Sequence, residues 1–571
     1  MTIISYGYDR TRPRTKITLD ASNLGSANNL SEKPLVLMGS ALGGAPHVPF
    51  EVTNYAQARE IFRGGELLDA IEMAWNPSPT VKAGRIFAIR TDEATQAKHT
   101  SGGLTVKSKL YGVDANSIQI EYTNNAITGA KRFSVYFTKE RYEKTYDNIG
   151  NIFKVKYTGE EAQASITIEQ DAETKEATRL ILKTGADAGS MQAVRTYELG
   201  QGVYEDVHIL VNDINNLPDF EASMNSMGGF KNVKTKWLDP IAAGVDIKTT
   251  DVTVKAVAGD LVNVLKNDPF VAIEVDLATG TLPETLSLTN LTGGSTSPAP
   301  ASWSTMFEKI ADLGAYYIVP LTANIAIQGE LSQYLRDESI NGNHLRALVG
   351  GEWDESIEEM RARQMSIRNA RVSVVGNSGT RRMADGRVYN FPAYMYAALV
   401  GGIASGLEVG EPITYKHVNI ESLDRKFSSD QLDQLNASGI VMTEFVRTRR
   451  STYFRLVSDP TSYNIQSEPV QNRMSLGEVS DYLTTDLRTE LDENFIGTRI
   501  ASSSASILKN AVESFLDKQK NVGGLIVDYN PDDVQVVISG NTARINIVVQ
   551  PAQGLDYINV HITYEDNELV A

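Results

Sequence analysis

The sequence predicts an α/β multidomain protein, with an α/β core and a C-terminal α/β domain, an inserted all-β sandwich or barrel, and extended N- and C-terminal arms. Three observations carry that reading. Residues 33–92 and 236–380 alternate short apolar strands with helical segments, the pattern of a doubly wound sheet. Residues 101–235 instead run through six short β-type segments at hairpin spacings. The two ends do not look like parts of a compact core.

The N-terminal arm and linker are expected over 1–32. Thr2–Tyr8 is β-prone, and Arg10, Arg12, Arg14 and Lys16 alternate with small or apolar residues. Such spacing suits an extended segment with one cationic edge, or a disordered tail; Ser22–Ser31 is loop-like. Residues 33–100 open the α/β domain with strand Pro34–Met38, helices Asn54–Arg63 and Glu66–Trp75, and strand Arg85–Arg90. The β-rich insertion, 101–235, carries Leu104–Ser108, Ser117–Tyr122, Arg132–Phe137, Ile152–Tyr157, Ala164–Gln170 and Thr178–Lys183.

The second part of the α/β domain is expected over 236–385. It holds strand Pro269–Val275, helix Ala301–Ala311, strand Ala315–Pro320, helix Gln328–Ile340, strand His344–Gly350, the charged helix Ser356–Asn369 and strand Arg371–Val375. The C-terminal domain, 386–553, has helix Ala393–Ser405, strands near Ile413–Val418 and Gly439–Glu444, and helices Asn472–Asn494 and Ser503–Lys520. It ends in strands Gly524–Tyr529, Val534–Ser539 and Arg544–Gln550. Residues 554–571 form a terminal arm, with strand Tyr557–Tyr564 followed by the acids Glu565, Asp566 and Glu568. No repeat of fixed period occurs.

Composition excludes several function classes. At 571 residues the chain has room for roughly three to four domains. Its net charge of −17 repels phosphate backbones, so no nucleic-acid partner is expected. Cysteine is absent, which removes disulfides, thiol catalysis and Cys-ligated metals. The N-terminus has no apolar signal-peptide core, so a cytoplasmic site of synthesis is expected. Val388–Leu407 is the most apolar uncharged run, but Asn390, Pro392 and three glycines interrupt it. It reads as a buried helix, not a membrane span.

No catalytic, cofactor or metal site is expected from the motifs. The six histidines are scattered, with no pair at helical ligand spacing. Gly293-Gly294-Ser295 lacks the lysine of a phosphate loop, and Gly376-Asn377-Ser378-Gly379 lacks the spacing of a nucleophile elbow. Glu352, Asp354, Glu355, Glu358 and Glu359 precede Arg361, Arg363 and Arg368, the order a solvated helix adopts to suit its dipole. Glu444, Arg447, Arg449 and Arg450 suit an anion site or interface charges, and the second reading is favoured. What stands out is the ends: a basic extended segment and a strand with an acidic tail. Unpaired strands are templates for other chains, and opposite charges favour head-to-tail pairing of identical subunits.

Four stretches resemble the tail sheath proteins of contractile-tailed bacteriophages, especially the long subunits of large myophages of Gram-positive hosts. They are Leu291-Thr292-Gly293-Gly294-Ser295; Tyr111–Tyr122 (YGVDANSIQIEY); the Pro-containing helix region Phe391–Ser405; and the C-terminal order Val446–Arg455, Leu491–Gly497 (LDENFIG), helix Ile507–Lys520, then terminal strands. Thr498-Arg499 departs from the acidic-Pro-Asn turn of many relatives.

The resemblance implies a cofactor-free, non-enzymatic virion subunit. It would be a homo-oligomer in stacked six-fold rings around a tail tube, meeting baseplate and tail terminator proteins without membrane insertion, and contracting on a baseplate signal to drive the tube through the host envelope. It further implies arms exchanged with neighbouring subunits, here Ile3, Ile4, Tyr6, Arg10, Arg12 and Arg14 at one end and Tyr557, Ile558, Val560, Ile562, Tyr564 and Glu565 at the other. Lys509, Lys518 and Lys520 form a locally basic run that suits either a tube-facing surface or a solvated helix face. The competing readings are the sheath of a tailocin or secretion system, a cofactor-free α/β enzyme, and a surface-layer protein or adhesin.

Overall fold

Strand Leu35–Gly39 (LVLMG) is buried at every position, which a strand achieves when both faces of its sheet are covered. The computed structural model describes residues 33–225, 233–465, 467–499, 504–556 and 558–563, with the backbone of Ile4–Tyr6 and Ile17–Leu19. Around Leu35–Gly39 lies a seven-stranded sheet. Its order is Ile440–Val441, Val372–Val375, Arg346–Gly350, Tyr317–Pro320, Leu35–Gly39, Ile86–Arg90, Pro49–Val52. All pairings are parallel except the last, where Pro49–Val52 runs antiparallel to Ile86–Arg90.

The period of two along each strand divides the core. Leu35, Leu37, Ile86, Ala88 and Val319 pack with helices Tyr55–Phe62, Glu66–Trp75 and Ala393–Gly406. Val36, Met38, Phe87, Ile89 and Ile318 pack with helices Ile325–Asn341 and Ile357–Ile367. Helix Ala393–Gly406 is the buried helix expected from composition: twelve of its fourteen residues are buried. It lies so close to Glu66–Trp75 that a Cβ on Gly402 would fall 2.4 Å from the Ala74 carbonyl oxygen, so only glycine fits. Among the described residues no helix is long and apolar enough to cross a membrane.

The described residues divide into two compact units. The first takes the chain up to Ala41, Pro46–Asp92 and the chain from Ala299; the second is Leu42–Ala45 with Glu93–Pro298. The second unit is antiparallel and holds two cores. One lies under two four-stranded sheets, Tyr142–Ile149, Lys131–Phe137, Gln119–Asn124, Leu286–Asn290 and Val271–Val275, Leu104–Tyr111, Glu93–Ser101, Ser295–Ser297. The other, nested between its halves in sequence, joins the sheet Gln192–Glu198, Ala177–Gly185, Gln163–Gln170, Ile241–Asp246 to Phe220–Met224, Asn151–Tyr157, Val252–Lys255 and helix Val207–Asn215.

Several elements differ from expectation. Strand Val271–Val275 was expected in the parallel sheet, yet it pairs antiparallel with Leu104–Tyr111. A strand's own residues do not reveal its partner. Helix Ala301–Ala311 shrinks to Ser304–Phe307 and a turn at Ala311–Leu313. Only His417–Val418 is strand in Ile413–Val418, and Gly439–Glu444 divides between Ile440–Val441 and Thr443–Arg447. Arg544–Gln550 divides too: Thr542–Asn546 pairs with Gln535–Ser539, while Val549–Pro551 pairs with Ile526–Tyr529.

Candidate inter-subunit site

Helix Met474–Phe495 is unlike at its two ends. Its first turns are buried and present Ser475, Glu478 and Asp481, three residues apart and so on adjoining turns of one face. The amide and hydroxyl of Ser475 donate to Asp459 Oδ2 at 3.1 and 2.5 Å. Glu478 accepts from Lys33 Nζ at 3.0 and 3.2 Å, from the Gly410 amide at 2.9 Å and from the Tyr317 hydroxyl. Asp481 accepts from Arg346 Nε at 2.9 Å, Arg371 Nη2 at 2.9 Å and the Tyr316 hydroxyl at 2.8 Å.

Burial opposes the charge on Asp481, but Arg346 and Arg371 outweigh it and hold the carboxyl below the usual range. Burial, with the two carboxylates beside them, pushes the phenols of Tyr316 and Tyr317 well up. His344 Nδ1 accepts from Arg371 Nη2 at 3.1 Å. Burial depresses the pKa of His344. Asp481 opposes that shift, while Arg371, Arg488 and Arg346 add to it.

Beyond Asp481 the helix changes role. Leu483, Leu487 and Leu491 recur every fourth residue and pack on a small core of Val512, Phe515, Leu516, Ile526 and Val534. Helix Ser504–Lys518 and the ladders Ile526–Tyr529/Val549–Pro551 and Gln535–Ser539/Thr542–Asn546 complete it. An open apolar groove of about 1000 Å³ lies between these elements, lined among others by Leu487, Phe495, Ile507, Ile545 and Val549. Among the described residues each ladder has two strands, whose outer backbone groups have no strand partner there. The groove was missed from the sequence, where the leucine spacing on Met474–Phe495 could have signalled it.

The expected site residues are distributed as follows. Ile4 and Tyr6 belong to strand Ile4–Tyr6, which pairs antiparallel with Ile17–Leu19 in a two-stranded ribbon. Ile3, Arg10, Arg12, Arg14, Tyr557, Tyr564 and Glu565 lie outside the described residues. Ile558, Val560 and Ile562 are 75, 74 and 65% exposed and belong to no strand. Lys509 pairs with Glu513 at 3.6 Å and Lys520 with Asp528 at 2.7 Å, while Lys518 is exposed and makes no ion pair among the described residues.

Other sequence motifs have structural partners. The Gly294 amide donates to Asn116 Oδ1 and Asn116 Nδ2 donates to the Gly294 carbonyl, both at 2.8 Å. This reciprocal pair joins Leu291–Ser295 to Tyr111–Tyr122. Asn377 Oδ1 accepts from the Thr443 amide at 2.6 Å and so binds neighbouring strand ends. In the acidic cluster, Ser356 and Glu359 form a capping box, Glu355 pairs with Arg363 and Asp354 with Arg425.

Comparison with known proteins agrees with this architecture. No family model matches the chain. A putative tail sheath protein of Enterococcus phage phiEF24C is 47% identical over 564 residues, covering 98% of both chains. The tail sheath protein of Staphylococcus phage Twort is 41% identical over 583 residues, again covering 98% of each. The crystal structure of a sheath tail protein from Listeria innocua superposes with a TM-score of 0.55 at 14% identity, covering 91% of this chain and 92% of that one. One from Desulfitobacterium hafniense gives 0.52 at 13%, covering 96% of each. Identity of this level, sustained from end to end, shows that the chain belongs to the phage tail sheath proteins.

Proposed function

We propose that this chain is the structural subunit of a contractile tail sheath, with no catalytic role, which polymerises through its two ends. The observation that carries the reading is Ile558–Ile562. Apolar side chains at every second position form one face of a strand, and all three are exposed in the single chain. The C-terminal ladders, with edges unpaired among the described residues, and the apolar groove offer what such a strand needs.

In this reading residues 1–32 and 554–571 are arms added to neighbouring copies. The antiparallel unit, Leu42–Ala45 with Glu93–Pro298, is the β-rich insertion, and the rest of 33–553 supplies the α/β and C-terminal domains. Ile3, Ile4, Tyr6, Arg10, Arg12, Arg14, Tyr557, Ile558, Val560, Ile562, Tyr564 and Glu565 make the exchanged contacts. Copies stack as hexameric rings around a tail tube between baseplate and tail terminator. The assembly forms in the host cytoplasm, becomes part of the virion and contracts on a baseplate signal. Lys518, with Lys509 and Lys520, faces the tube. Main-chain ladder bonds tolerate rigid-body rotation of the subunits when the linkers supply the hinge.

Electron microscopy of the purified full chain tests this. Hollow tubes of uniform width are expected, and variants lacking residues 1–20 or 554–571 should remain soluble subunits. Tubes formed by either truncated variant would refute the arm assignment.

A further inference from the structure

Helix Ile357–Ile367 sets Arg361, Met365 and, just past its end, Arg368 at intervals of four and three residues, on one face. A cavity of about 290 Å³ opens beside that face, lined by Arg361, Gln364, Met365, Arg368, Ser438 and Asn464. None of the six is acidic. The Gln364 amide donates to the Ser462 carbonyl at 2.5 Å, and the Ser438 hydroxyl to the Gln434 carbonyl at 2.8 Å.

Neither guanidinium is paired with a carboxylate among the described residues, although their neighbour Arg363 is paired with Glu355 and Arg425 with Asp354. Arg361 Nε is buried without a hydrogen-bond partner, and its Nη2 reaches only Gln434 Oε1, at 3.5 Å. Arg368 caps the helix at φ +29°, in the left-handed region that disfavours any side chain. Glycine would relieve that backbone but would leave the cavity one guanidinium short. In a chain of net charge −17, these two arginines share a cavity that no acidic side chain lines.

We propose that Arg361 and Arg368 form a site for a single oxyanion group, a carboxylate or a phosphate, held by the planar forks of the guanidinium groups. The group comes either from an acidic side chain of a second copy of this chain or from a free inorganic anion. The first source rests on the polymerisation proposed above; the second is independent of it.

Two measurements on the full chain distinguish the sources. Inorganic phosphate is titrated calorimetrically at ionic strength matched with chloride, and tube formation is followed by sedimentation. Both compare the natural protein with Arg361→Gln/Arg368→Gln, Arg361→Lys/Arg368→Lys and, should the double variant misfold, the exposed single change Arg368→Gln. Saturable phosphate binding that weakens about tenfold or more in the Gln variants, and less in the Lys variant, supports a free-ion site. No phosphate binding, but a critical concentration for tubes raised about tenfold or more in the Gln variants, supports a carboxylate from a second copy. Natural protein and variants that form tubes alike, with no phosphate bound, overturn the site and leave the polymerisation reading standing. Phosphate binding by a natural protein that never forms tubes supports the site and refutes polymerisation. Neither phosphate binding nor tubes overturns both.

Discussion

The parallel sheet and the C-terminal ladders are built from similar residues but finish differently. Val36 and Leu37 on one strand reach two different cores, and helices cover both faces of the sheet. Among the described residues the ladders Ile526–Tyr529/Val549–Pro551 and Gln535–Ser539/Thr542–Asn546 share a core of five buried residues, and each has two strands. A two-stranded ribbon is marginal on its own. The lesson is that one chain holds a sheet covered on both faces and, among the described residues, two narrow ladders on a small core, joined by helix Met474–Phe495, whose first turns belong to the former and last turns to the latter.

The largest expected effect strikes the joint. Glu478→Gln leaves Lys33 buried without its counter-charge and should cost about 3–5 kcal/mol, read from urea unfolding. If the loss is under about 1 kcal/mol, helix and sheet are not coupled through this pair. Next, Phe515→Ala should cost about 3 kcal/mol in the small core. Hydrogen exchange should quicken in Ser504–Lys518 and the two ladders, with Leu35–Gly39 and Tyr317–Pro320 unchanged. Uniform quickening would mean that the two regions unfold as one.

A smaller effect comes from pH. His344 has a folded pKa below its ordinary value of 6.5, so the unfolded chain takes up the proton first. Above that value stability is unaffected, and it falls progressively as pH drops from 6.5 through the folded pKa. The groups facing this histidine are Asp481 and Arg488 on the helix, Arg346 on its strand, Arg371 just before Val372–Val375, and the Tyr316 hydroxyl that bonds Asp481. His344→Asn should flatten that acid limb in thermal melts. The smallest effect belongs to truncation after Asp556: the residues removed include Ile558, Val560 and Ile562, exposed in the single chain, so subunit stability should stay within about 0.5 kcal/mol. A large drop would place that segment on its own subunit.

The buried apolar strands and helix Ala393–Gly406 were legible because their burial is written in local composition. So was Glu66–Trp75, whose bounds agree with the structure. The alternation of Ile558, Val560 and Ile562 was legible for the same reason. Strand Tyr142–Ile149 (YEKTYDNI) was missed because polar residues fill both of its faces. The joint was hidden by distance, since Lys33 and Glu478 are 445 residues apart and each alone reads as a surface charge. The arginine-lined cavity was hidden too, because Arg361 and Arg368 follow the acids a helix of that polarity would carry anyway.

Lys33 has a mechanical consequence. It lies two residues before Leu35–Gly39, pinned to Glu478 and the Glu408 carbonyl, and that strand runs parallel to neighbours on both sides. Tension arriving from the chain ahead of residue 33 must first break a sealed ion pair. It then acts along the strand axis, loading every rung of both flanking ladders in shear at once. A tether moored this way resists a pull far better than one whose bonds could be peeled off singly.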